Sequence, residues 1–122
     1  MQDALEKRNT MFKHYLTYQF AVNFDQGCSI VELTPPDKSE LQRCARQMLN
    51  QFSRALQTQD SKERSKCLFV ALTYLRDCNE LLAKATGDRN EIMSRYDILN
   101  LRLEHICWDA AKAEGGQFRM FG

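Results

Sequence analysis

Residues 41–56 read LQRCARQMLNQFSRAL. Leu41, Cys44, Ala45, Met48, Leu49, Phe52, Ala55 and Leu56 return every three or four positions. That spacing gathers them on one side of an α-helix, whereas a half-buried strand would alternate. The segment is therefore read as an amphipathic helix with one buried stripe. Upstream, Asp37 or Ser39 can cap its start, and Asp37 followed by Glu40 resembles a capping box. Downstream, the short joint QTQD leads to Asp60 or Ser61 as the next cap, with Glu63 as a first-turn acid. A second stripe follows at Cys67, Val70, Ala71, Tyr74, Leu75, Cys78, Leu81, Leu82 and Ala85, closed by Gly87. Asp88 or Asn90 opens a third, which runs Ile92, Tyr96, Leu99, Leu103, Ile106, Ala110 and Ala113 near a seven-residue repeat. Gly115 and Gly116 stop it.

The adjacent pair Pro35–Pro36 divides these helices from an N-terminal one over residues 3–31. Its expected face is Leu5, Phe12, Leu16, Phe20 and Phe24, widened by Tyr15, Val22 and Ile30. Gly27 weakens it near its end. The run CSIVEL invites a strand reading, but a frayed or kinked helix end is expected there. Four helical stretches with short joints must run antiparallel. The predicted fold is all-α, an up-down-up-down antiparallel four-helix bundle over residues 1–114, with a tail peptide at 115–122. Helices of roughly 20 to 25 residues would be roughly 30 to 35 Å long.

The chain has 122 residues, 43% of them hydrophobic and 27% charged, with a formal net charge of +1. This is the balance of one ordinary globular domain. A domain dominated by phosphate contacts usually shows a clear basic excess, which is missing here. No apolar run is long enough for a membrane span, and MQDALEKRNT does not read as a signal peptide. The five cysteines are odd in number and widely spaced. They suit buried thiols in a cytoplasmic protein better than a secreted disulfide framework.

His14 and His105 are the only histidines, and neither H-x-x-H nor C-x-x-C occurs. Zinc takes about four close nitrogen or sulfur ligands, so no metal site and no cofactor are expected. Covalent catalysis needs a nucleophile with a positioned base, and His105 with Cys107 is too poorly placed on a helix to serve. No catalytic residue is assigned, and the chain is read as a non-enzyme. Arg43, Arg46 and Arg54 on helix two, with Lys62, Arg64 and Lys66 at the start of helix three, form a band of positive charge. It is open to two readings, a salt-bridged solvent face or an edge that contacts nucleic-acid phosphates. Phe69, Leu72, Ile98, Leu101 and Trp108 lie off the core stripes. They are either boundary positions or an oligomer interface.

Residues 66–85, KCLFVALTYLRDCNELLAKA, carry Phe69, Ala71-Leu72, Leu75-Arg76-Asp77, Glu80 and Leu81. This pattern resembles the corresponding helix of the small bacterial four-helix bundle proteins encoded by intervening sequences within 23S ribosomal RNA genes. Arg43, Cys44 and Ala45 resemble a region of that family's second helix. The same superfamily includes the accessory variability determinant of diversity-generating retroelements. The resemblance spans residues 10–112. It implies a non-catalytic homo-oligomer, a five-fold ring or pentamer, and in the retroelement branch DNA or RNA binding through a basic surface.

The sequence finishes Gly115-Gly116-Gln117-Phe118-Arg119-Met120-Phe121-Gly122. Gln117, Phe118, Arg119, Met120 and Phe121 resemble, position by position, the peptide with which many bacterial proteins hold the replication sliding clamp. The glycine pair supplies a loose joint. Gln117, Phe118, Met120 and Phe121 are thus candidates to dock on a protein partner, and self-docking onto the chain's own apolar surface is the competing reading. The function expected is an oligomeric helical adaptor in nucleic-acid metabolism, or alternatively a nucleic-acid-binding accessory protein.

Overall fold

The computed structural model describes residues 2–113, with side chains for residues 11–112. These residues fold as four helices: α1 (Gln2–Cys28), α2 (Pro35–Gln57), α3 (Ser61–Leu82) and α4 (Asn90–Ala113). Each helix packs on its neighbours in sequence, and α4 closes the ring against α1, while the diagonal pairs do not meet. The result is an all-α four-helix bundle. Its only β feature among the described residues is a single antiparallel bridge between Glu32 and Thr86.

The core follows the expected stripes on α2, where Leu41, Cys44, Ala45, Met48, Leu49, Phe52 and Ala55 are all buried. On α3 the buried set shifts slightly to include Leu68 and Leu72, and Val70 and Tyr74 move to its edge. Tyr18 of α1 meets Phe52 of α2 edge to face, with ring centroids 5.5 Å apart, a favoured aromatic geometry. Phe24 packs near Tyr96 of α4, at 6.1 Å. Among the described residues, no buried side-chain nitrogen or oxygen is left without a hydrogen bond.

The helix ends differ from expectation in three places. Pro35 and Pro36 are the first turn of α2, not a divider ahead of it. Proline suits that position because the first amides of a helix have no partner inside it. Thr34 occupies the cap position without a side-chain bond, and neither Asp37 nor Ser39 caps. Asp37 instead sits in the first turn and faces Lys84 at 3.9 Å. α1 stops at Cys28, and α3 stops at Leu82, short of Gly87. Arg89 takes up the exposed end of α3 by donating to the carbonyls of Leu82 and Ala83 at 3.2 and 2.9 Å. Thr86 then donates to the Glu32 carbonyl at 3.1 Å, which ties the two long joints together. Gly87 turns the chain at φ +78°, a conformation that costs other residues about 1–2 kcal/mol. Asp60 caps α3 as expected, its carboxylate accepting from the Lys62 amide at 3.1 Å. Ahead of α4, the Asp88 carboxylate accepts from the Asn90 amide at 3.0 Å.

The largest correction concerns α1. Among the described side chains and glycines of α1, Thr17, Ala21, Phe24, Gly27 and Cys28 are buried, while Phe12 is 69% exposed and Tyr15, Leu16 and Ile30 also face outward. The expected stripe advanced by four residues at a time. Four residues turn a helix by about 400°, so each step drifts by about 40°. Three steps from Phe24 back to Phe12 add about 120°, which carries Phe12 off the core face. Helix α1 continues through Gly27, against which the Ile92 and Arg95 side chains of α4 pack. A methyl added there would lie 2.8 Å from both the Ile92 and Arg95 side chains.

Candidate assembly face and basic band

Two polar anchors fix α1 against α4. The Arg102 guanidinium lies over the Phe20 ring at 4.8 Å and donates to Thr17 Oγ1 at 3.4 Å. Arg95 donates to the Asn23 carbonyl at 3.0 Å. Residue numbers rise along α4 as they fall along α1, so Met11–Leu16 stand level with the last turns of α4. The outer surface of this helix pair carries large apolar residues among exposed polar ones such as Lys13, Gln19, Asp97 and His105. On α1, Met11 and Tyr15 are 60% and 61% exposed, and on α4, Ile98 and Leu101 are 47% and 59% exposed.

The residues expected at an oligomer interface are thus divided. Ile98 and Leu101 are exposed on α4, and Trp108 is partly exposed two turns further along. Leu72 is not at the surface. It is 4% exposed and belongs to the core, because the buried stripe of α3 is centred one residue later than expected. Phe69 is half-buried and packs against that core. The second contributor to the apolar face is therefore α1, not α3. The signal for it lay in the drift of Phe12 and Leu16 away from Phe24.

The six basic residues of α2 and α3 do not form one field of free charge. Arg43 pairs with Glu40, one turn away. Their mutual hydrogen bond holds the Glu40 carboxyl below its ordinary range and raises Arg43. Arg46 reaches Asp25 of α1 at 3.3 Å, and Arg54 reaches Glu63 of α3 at 3.2 Å. Arg64 donates to the Thr58 carbonyl at 2.9 Å and so closes the α2–α3 joint. Lys62 and Lys66 are exposed and make no ion pair among the described residues.

All five cysteines are buried and unbridged. Burial pushes the Cys28 and Cys107 thiols up to about 12, and raises Cys78 as well. Such thiols stay protonated at neutral pH, and the thiolate is the form that attacks or binds a metal. Cys44 and Cys67 each donate weakly, at 3.7 Å, to the glutamate one turn earlier, Glu40 and Glu63. No group of three or more His, Cys, Asp or Glu among the described residues is arranged to hold a metal ion. No helix there is long and apolar enough to cross a membrane. A shallow hollow beside the 29–34 joint is lined by Ile30, Val31, Leu33 and Pro35. Lys38 spans it, donating to the Val31 carbonyl at 2.6 Å. The tail candidates Gln117, Phe118, Met120 and Phe121 lie outside the described residues.

Compared with protein-family models, curated proteins and solved structures, the chain matches none.

Proposed function

We propose that this chain is a non-catalytic helical adaptor that works as an oligomer. The observation that carries the reading is the number of large apolar side chains exposed on the outer sides of α1 and α4. Six large apolar residues, Met11, Phe12, Tyr15, Leu16, Ile98 and Leu101, are 40% or more exposed there. The bundle core is already filled without them. Exposed apolar groups gathered on two adjacent helices are characteristic of association surfaces. In this reading the bundle supplies the assembling unit, and the tail residues Gln117, Phe118, Met120 and Phe121 supply a docking peptide for a protein partner. The link to nucleic-acid metabolism rests on the resemblance to the ribosomal intervening-sequence proteins and to the clamp-binding peptide, and the cytoplasmic reading rests on the odd, widely spaced cysteines.

Light scattering coupled to size exclusion tests it, on the full chain and on a version ending at Glu114. The expected result for both is a particle heavier than the 14.2 kDa monomer. Monomers in both would reduce the α1–α4 face to ordinary boundary positions. Loss of assembly in the truncated version alone would make the tail an assembly element and remove the motive for a foreign partner.

A second reading, direct nucleic-acid binding, is favoured by Lys62 and Lys66, the two exposed cations of the band without an acid partner among the described residues. It would draw on phosphate contacts alone.

A further inference from the structure

We infer that the occupant of the outer face of α4 is a second copy of the same chain, packed antiparallel on a two-fold axis. The inference rests on the oligomeric reading above and gives it a geometry. Asp97, Leu101, Trp108 and Lys112 are spaced by four, seven and four residues, so they share one outward stripe. Asp97, Leu101 and Lys112 are exposed, and Trp108 is partly so. Asp97 lies at one end of the stripe and Lys112 at the other, about 22 Å apart at 1.5 Å per residue. Neither makes an ion pair among the described residues.

The order of the stripe is acid, apolar, apolar, base. Read backwards on a partner helix, it becomes base, apolar, apolar, acid. A two-fold axis midway, between residues 104 and 105, therefore sets Asp97 against Lys112 of the partner subunit. It also sets Leu101 against Trp108 of the partner subunit. Both contacts occur twice, as an isologous interface requires. A parallel or head-to-tail arrangement at this register would set like charges together or leave both unpaired. Of the other charges nearby, Asp109 acts on His14 of α1. Glu104 is held by Arg76 at 3.0 Å on the α3 side, and Arg102 is turned toward α1. Phe12 and Leu16 of α1 would extend the apolar contact alongside α4. Complementary charge at the rim fixes register and excludes wrong arrangements more than it adds affinity. Here it selects antiparallel pairing.

The test is a charge exchange followed by sedimentation equilibrium at low ionic strength, where surface charges are least screened. The variants are Asp97→Lys, Lys112→Asp and the double exchange, each checked by circular dichroism for an intact fold. Each single change creates two like-charge encounters and should weaken the dimer by about tenfold. The double change should restore it to within about threefold of the parent. Within one chain the two side chains are too far apart to rescue each other, so restoration identifies a contact between chains. Leu101→Asp, at an exposed position, should leave the helix folded and abolish the dimer.

An oligomer that ignores all three charge variants would overturn the pairing and leave self-association standing. A five-subunit particle would do the same. A parent chain that is monomeric throughout would overturn both. If the version ending at Glu114 dimerises more tightly than the full chain, the tail covers the face and the pairing is overturned for the full chain.

Discussion

His14 is one of the two histidines in the chain, and its surroundings make it a pH sensor for stability. It is half-buried on α1. Burial, reinforced by the positive charge of Arg64, lowers its pKa from 6.5, and Asp109 opposes the shift only partly. The neutral imidazole is therefore favoured by the fold. Above about pH 6.5 the ring is neutral in both the folded and unfolded chain, and the contribution to stability is complete. As pH falls below that value the unfolded chain takes up the proton first. Stability is then lost until the pH passes below the folded-state pKa. Urea unfolding midpoints between pH 5 and 8 should fall on the acid side, and His14→Gln should flatten that part of the curve. An unchanged slope in the variant would show that the ring is solvated and feels neither burial nor Arg64.

At the scale of the helices, α4 side chains leave little room beside α1 at Gly27. Gly27 is buried, and even a methyl there would stand 2.8 Å from Ile92 and Arg95. Gly27→Leu should force α4 outward and cost about 1–3 kcal/mol through overpacking, against a gain of about 1 kcal/mol in helix propensity. The expected outcome is a lower melting temperature. A melting temperature equal to or above the parent's would place α4 further from α1. This close approach was not legible in the sequence, where Gly27 reads only as a weak point in a helix. What was legible is the number, order and type of the helices, because α2 to α4 repeat their apolar residues at both three and four. The face of α1 was misjudged because the run Phe12, Leu16, Phe20 and Phe24 advances by four alone, and the drift that removes Phe12 from the core is small at each step. Leu72 was misjudged by a one-residue shift in the centre of the α3 stripe. The basic band was visible as charges, but its pairing with Asp25 depends on where α1 lies, which spacing along α2 does not reveal.

For the whole molecule, the open question is how far the basic band can act on a nucleic acid. A net charge of +1 gives little long-range attraction, so binding must come from local contacts. Arg43, Arg46 and Arg54 are already engaged by Glu40, Asp25 and Glu63, and each would have to give up an acid before meeting a phosphate. Arg64 is turned onto the Thr58 carbonyl, so Lys62 and Lys66 are left. Each phosphate neutralised on duplex DNA contributes about −0.9 to the slope of log affinity against log salt. Two lysines per chain therefore limit the slope to about −2, doubling if two chains present their bands to one duplex. Fluorescence anisotropy with a labelled duplex over a salt series measures this directly. The expected affinity at physiological salt is no tighter than the non-specific range of about 10⁻⁴ to 10⁻⁶ M. Lys62→Glu with Lys66→Glu should remove it, whereas Arg43→Gln should change little. A much steeper slope, or strong binding that survives loss of both lysines, would mean that the arginine pairs open on contact. The band would then be a nucleic-acid surface in its own right, and the adaptor reading would give way to the accessory-protein one.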